Sequence, residues 1–152
     1  MSGVRCESTV TVAVPPAAVF PSLLEADAVP RWMSGLEVYE PLDPGPLGVG
    51  SRIRQELTIK SGQRLRFELQ VVELDPPRRA VLRLEGSGFK AVNEYAVAAA
   101  GAGSEVRWLI SGDATSFKTK LIAPVVQGKL QEKIEADLAR LRAVLEGETA
   151  AA

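Results

Sequence analysis

The feature that most limits what this chain can fold into lies near its end. Between Ser116 and Leu145 the apolar residues Ile122, Val126, Leu130, Ile134, Leu138, Leu141 and Leu145 recur three or four apart, which places them on one stripe of an α-helix. Lys129, Glu132, Lys133, Asp137, Arg140 and Arg142 fall on the opposite side. At about 1.5 Å per residue such a helix is roughly 45 Å long, so its stripe needs an extended partner to bury against. Everything upstream is patterned as strand, and a curved antiparallel sheet is the partner that remains.

Period-two alternation marks seven strand segments, at 7–14, 37–42, 51–59, 63–74, 79–85, 89–98 and 104–113. The fourth carries Leu65, Phe67, Leu69 and Val71 on one face and then changes parity at Val72 and Leu74, the signature of a β-bulge. Short turns separate the later segments: Lys60-Ser61-Gly62, Asp75-Pro76-Pro77, Gly86-Ser87-Gly88 and Gly101-Ala102-Gly103. Connections this short join antiparallel neighbours rather than crossovers. Pro15-Pro16 stops the first strand. Two short helical segments follow, one over 17–25 with Val19, Phe20, Leu23 and Leu24, the other holding Val29, Trp32 and Met33 before Gly35. The loop from Asp43 to Gly50 is rich in Gly and Pro, but it lacks the Gly-Lys-Ser/Thr ending of a phosphate loop and precedes a strand.

Composition narrows the chemistry. The chain has 152 residues, of which 46% are hydrophobic, enough for one domain with its own core; we assign that domain to 1–147 and expect a frayed, disordered tail over 148–152. A net charge of −1 with both signs interspersed gives no field to attract a phosphate backbone, so nucleic acid is not the expected partner. There is no histidine and a single cysteine, Cys6. Ser-His-Asp and Cys-His mechanisms, most catalytic zinc sites, an internal disulfide and a cysteine metal cluster are therefore excluded. Cys6 reads as a small buried apolar side chain. No secretory leader and no apolar run of about 18 to 20 residues is present, so a cytoplasmic protein without a membrane span is expected.

The order strand, two small helices, six-strand meander and long final helix resembles the START-like, or SRPBCC, superfamily with its helix-grip fold. Local phrases agree: Val12-Ala13-Val14-Pro15-Pro16-Ala17-Ala18-Val19-Phe20 resembles the family's opening strand and helix, and Pro30-Arg31-Trp32-Met33 its Trp-bearing second helix. Val71-Val72-Glu73-Leu74-Asp75-Pro76-Pro77-Arg78 resembles the fourth strand and turn, and Gly103-Ser104-Glu105-Val106-Arg107-Trp108 the last hairpin. These are markers of fold and carry no catalytic group. The expected architecture is α+β: a seven-stranded curved antiparallel sheet around a long C-terminal helix, with two short helices after strand one.

The resemblance implies a cavity between sheet and helix that takes an apolar small molecule, a lipid or a polyketide-like metabolite. From inward parity and the family pattern, the expected ligand-binding residues are Trp32, Met33, Phe67, Leu69, Leu82, Leu84, Asn93, Tyr95, Trp108, Ile110, Leu121 and Val125. Each has a plainer reading as core, and Asn93 is the expected polar anchor. The entrance is expected near Gly45 to Gly50 and Pro124 to Gly128. Two functions remain open: a non-catalytic binder, which we favour, and an aromatase/cyclase working through Arg, Tyr and water. The tyrosine and inward arginine of the aromatic cyclases fall at Leu36 and Val71, so no catalytic residue is assigned. No metal or cofactor is expected, and the protein is expected to be a monomer or weak homodimer.

Overall fold

Proline and glycine punctuate the chain into the elements the alternation calls for. The computed structural model describes residues 3–60 and 62–151, with side chains up to Gly147; Ser61 in the expected turn and the side chains of the expected tail at 148–152 lie outside the described residues. The strands are β1 (Gly3–Val12), β2 (Leu36–Pro41), β3 (Arg52–Thr58), β4 (Arg64–Asp75), β5 (Arg79–Gly86), β6 (Phe89–Ala100) and β7 (Gly103–Ala114), with helices α1 (Pro16–Val19) and α2 (Phe117–Ala151). They form one antiparallel sheet in the order β1-β7-β6-β5-β4-β3-β2. β1 and β2 are thus the two edge strands of the sheet, and the chain between them holds the short helical pieces. β1 begins at Gly3, earlier than its alternation suggests, because Val4 and Cys6 continue the buried parity. In β4 the pairing slips between Val71 and Glu73, which is the expected bulge.

The short helices are shorter than expected. α1 passes into a 3-10 turn at Phe20–Leu23, and the second is a single 3-10 turn at Val29–Arg31. Pro16, Pro21 and Pro30 each sit at the start of one of these pieces. A proline has no N–H for the preceding turn, so it opens a helix and cannot continue one. These pieces bury Val19, Phe20, Leu23 and Val29 against the core.

Ser116 caps α2, its Oγ accepting the Thr119 N–H at 3.2 Å. Pro124 lies inside the helix, where it leaves one backbone carbonyl without its usual donor. Ile134, Leu138, Leu141 and Leu145 are buried as the stripe requires, together with Ala123 and Val126. Lys133 and Asp137, which the spacing assigns to the outer face, are buried too. They fall one step to the side of the stripe, and the chain wraps them: Asp137 Oδ1 accepts from Ser34 N at 3.1 Å and from Ser34 Oγ at 2.7 Å, while Lys133 pairs with Asp137 Oδ2.

α2 also closes the edge of β1. The amide of Gln127 accepts from Arg5 N at 2.6 Å and donates to Arg5 O at 2.5 Å; Gln131 does the same with Glu7 N at 3.1 Å and Glu7 O at 2.9 Å. Four helical residues advance about 6 Å and two strand residues about 6.6 Å. Glutamines four apart therefore match edge groups two apart, and the helix runs along β1 in the direction of a parallel strand. At the far end Glu146 Oε2 accepts the Ala13 N–H at 2.9 Å.

Candidate functional site

Cross-strand rows build the inner face of the sheet. Val71, Leu82, Asn93, Ile110 and Cys6 are successive partners across β4, β5, β6, β7 and β1; Ile53, Leu69, Leu84, Ala91, Gly112 and Val4 form a second row. Between this face and α2 lies a cavity of about 60 Å³, room for a few waters. Its walls are mostly aliphatic and aromatic, with Val126, Leu130 and Lys133 contributed by α2.

Of the residues expected to contact a ligand, Met33, Phe67, Leu69, Leu82, Leu84, Asn93, Tyr95, Trp108 and Ile110 line this cavity. Three do not. Trp32 is wholly buried behind the wall, edge-on to Trp108 at 5.5 Å and to Tyr95 at 6.5 Å, with its Nε1 donating to Ser22 O at 2.7 Å. It plugs the corner made by the short helical turns. Leu121 and Val125 are 67% and 55% exposed on the outer side of α2. They lie one position short of the inward stripe, a rotation of roughly 100° on a helix, and Ile122 and Val126 take the inward places. From the expected entrance, Val126 reaches the wall and no residue of Gly45 to Gly50 does.

The polar groups in the wall are few, and their bonds differ. Asn93 Oδ1 accepts from Trp108 Nε1 at 2.5 Å, so the expected anchor is spent on locking an aromatic wall. Tyr39 donates its hydroxyl to Leu24 O at 2.9 Å. Burial pushes the Tyr39 phenol well above its usual range, and burial first, then the neighbouring Tyr39, does the same to Tyr95. Both are neutral donors at ordinary pH. The Lys133 ammonium is held below the usual lysine range by loss of solvent, a change that Asp137 opposes. Its remaining neighbour is Ser34 Oγ at 3.4 Å.

Gln55 and Lys133 also line the cavity, outside the set expected from the sequence. Gln55 is 6% exposed and faces the cavity from β3, and its parity with Ile53 and Leu57 was there to read. Lys133 carried no such signal, because the helical spacing puts it with the charged face. Among the described residues no group of three or more His, Cys, Asp or Glu side chains is arranged to hold a metal ion, and no helix is long and apolar enough to cross a membrane.

An open antiparallel sheet gripping one long C-terminal helix over an apolar cavity defines a helix-grip protein of the SRPBCC type. The chain belongs to the family described as polyketide cyclase / dehydrase and lipid transport, whose model matches residues 3–146. No curated protein matches it. Similar solved structures include TTHA0849 from Thermus thermophilus, 21% identical over 96% of this chain and 98% of that one, with a TM-score of 0.76. Protein CV1439 from Chromobacterium violaceum is 18% identical over 94% and 98%, with a TM-score of 0.74. The di-domain ARO/CYC StfQ of the steffimycin biosynthetic pathway is 14% identical, with a TM-score of 0.75; the match covers 97% of this chain and 52% of that one. At these identities the likeness is one of fold.

Proposed function

We propose that the protein binds a hydrophobic small molecule in the cavity between sheet and α2 and does not transform it. The observation that carries this reading is an apolar cavity whose polar wall groups are mostly engaged in holding the wall itself, as Asn93 holds Trp108. An occupant larger than a few waters widens it at side chains that move at low cost, Met33 foremost, since an unbranched thioether adapts to irregular space.

The cyclase reading has one observation in its favour. Lys133 is a buried cavity amine held below its usual range, and proton transfer draws on such groups. Against it, no arginine lines the cavity among the described residues, and the two tyrosines keep their protons at ordinary pH.

Native mass spectrometry of freshly purified protein tests binding. The expected result is an added mass from an apolar organic molecule, lost in Leu69→Trp, which fills the cavity. A bare chain mass together with no change in tryptophan emission on adding small aromatic probes would leave the cavity without a binding role. Conversion of a poly-ketone substrate that stops in Lys133→Met would move the assignment to an enzyme.

A further inference from the structure

Gln55 and Lys133 are polar side chains of the cavity wall that the fold does not use up. Gln55 is 6% exposed as a residue and no described residue bonds its side-chain amide, yet among the described residues no side-chain nitrogen or oxygen is both fully buried and unpaired, so this amide keeps contact with the open space of the cavity. Its neighbours in the strand register, Tyr39 on β2 and Phe67 on β4, line the same cavity without engaging that amide. Across from the sheet, Lys133 gives two of its three N–H donors to Asp137 and Ser34. The third has no described partner. Asp137 accepts from Ser34 on one oxygen and pairs with Lys133 through the other, so its charge offsets that of Lys133 and this end of the cavity is electrically neutral.

From this we infer that the ligand is a neutral molecule bearing a carbonyl-type oxygen, held by the Gln55 amide N–H with the Lys133 ammonium as second donor, and that the site discriminates against carboxylates. The inference rests on the binding reading above and adds the chemical class. A pure hydrocarbon leaves the Gln55 amide buried and unpaired, which is unfavourable. A carboxylate brings a negative charge into an apolar cavity where Lys133, the one cation lining it among the described residues, is already neutralised by Asp137, and an uncompensated buried charge is more unfavourable still. A ketone or quinone oxygen meets a donor without adding charge.

Three probes of nearly equal shape separate these cases: acetophenone, isopropylbenzene and benzoate. Their dissociation constants are measured by NMR titration at pH 7, following the Gln55 side-chain amide and the Trp108 indole N–H. Acetophenone is expected to bind about 3- to 10-fold more tightly than isopropylbenzene, the range one neutral hydrogen bond gives, and benzoate more weakly than both. Gln55→Leu should erase the preference for acetophenone over isopropylbenzene while leaving the melting temperature little changed, because no described residue is held by that amide. If all three probes bind equally, or benzoate binds best, the inference falls and the cavity reading stands. If the preference survives Gln55→Leu in a folded protein, Gln55 is not the donor. If no probe binds, both the inference and the binding reading are wrong.

Discussion

Asn93 and Gln55 carry the same amide into the same wall and meet different ends. Asn93 lies diagonal to Trp108 on the next strand, and its oxygen is taken by the indole. Gln55 has a ring on either side, Tyr39 and Phe67, and finds no donor or acceptor among the described residues. Which amide is structural and which is free depends on the cross-strand neighbour, which residue type alone does not reveal. Lys133 and Asp137 show the same dependence with charges. Because both side chains are almost fully buried, at 7% and 1% exposed, removing one leaves the other without compensation. Asp137→Ala is expected to destabilise the domain by about 3 to 5 kcal/mol, whereas Lys133→Met with Asp137→Leu recovers much of that loss. Urea denaturation of the three variants checks this, and a mild Asp137→Ala would mean that the pair is hydrated.

At the scale of elements, α2 has two jobs that its sequence divides lengthwise. Its C-terminal part buries a dense run, Ile134, Leu138, Leu141 and Leu145, and serves as core. Its N-terminal part buries only Ala123 and Val126 among the apolar side chains from Phe117 to Val126, while Phe117, Leu121 and Val125 stay exposed. What fixes that part to the sheet is largely polar: Gln127 and Gln131 on the β1 edge and Thr119 packed over Gly88. At Gly88, with φ +80°, an added Cβ would come within 2.3 Å of Thr119 Oγ1, so the turn and the helix start can approach this closely only with glycine there. Replacing both glutamines by alanine is expected to cost about 1 to 3 kcal/mol and to speed hydrogen exchange at the Arg5 and Glu7 amides. Unchanged protection at those two amides would show that the helix side chains do not guard the edge.

For the whole molecule, burial of neutral acids sets the response to alkali. The Cys6 thiol is pushed from 9.0 up to about 11, chiefly by burial and against a bond from Gln127, and Tyr39 and Tyr95 are raised from 10.0 by burial. Below pH 9 these groups are neutral folded and unfolded, and the stabilisation is whole. Above it the unfolded chain ionises first, so stability falls as pH rises from 9 toward 11. Lys133, lowered from 10.5 by burial, acts in the opposite sense and offsets part of the fall. The melting temperature is expected to drop across that interval, and Tyr95→Phe is expected to make the drop shallower. A flat profile from pH 8 to 11 would mean that these side chains are solvated.

Periodicity determined the elements of this protein. A two-residue period is backbone geometry, so the buried parities of β3 to β7, the bulge after Val71 and the apolar stripe at Ile134 and Leu138 could all be read from the chain. Prolines 16, 21 and 30 equally showed where helices begin, though not that each would last only about one turn. Most of the cavity wall followed from the same parities, from Phe67 and Leu69 to Tyr95 and Trp108. Tertiary structure alone decided what lies beside the stripe and which side of α2 the cavity meets. Leu121 and Val125 point outward and Lys133 inward because the helix is rotated to seat Gln127 and Gln131 on the β1 edge and Asp137 on Ser34. That rotation is set by bonds spanning more than a hundred residues, and no local spacing encodes them. The same holds for Gln55: its neighbours across two strands are Phe67, an apolar ring, and Tyr39, whose hydroxyl is spent on Leu24 O, and neither bonds its side-chain amide.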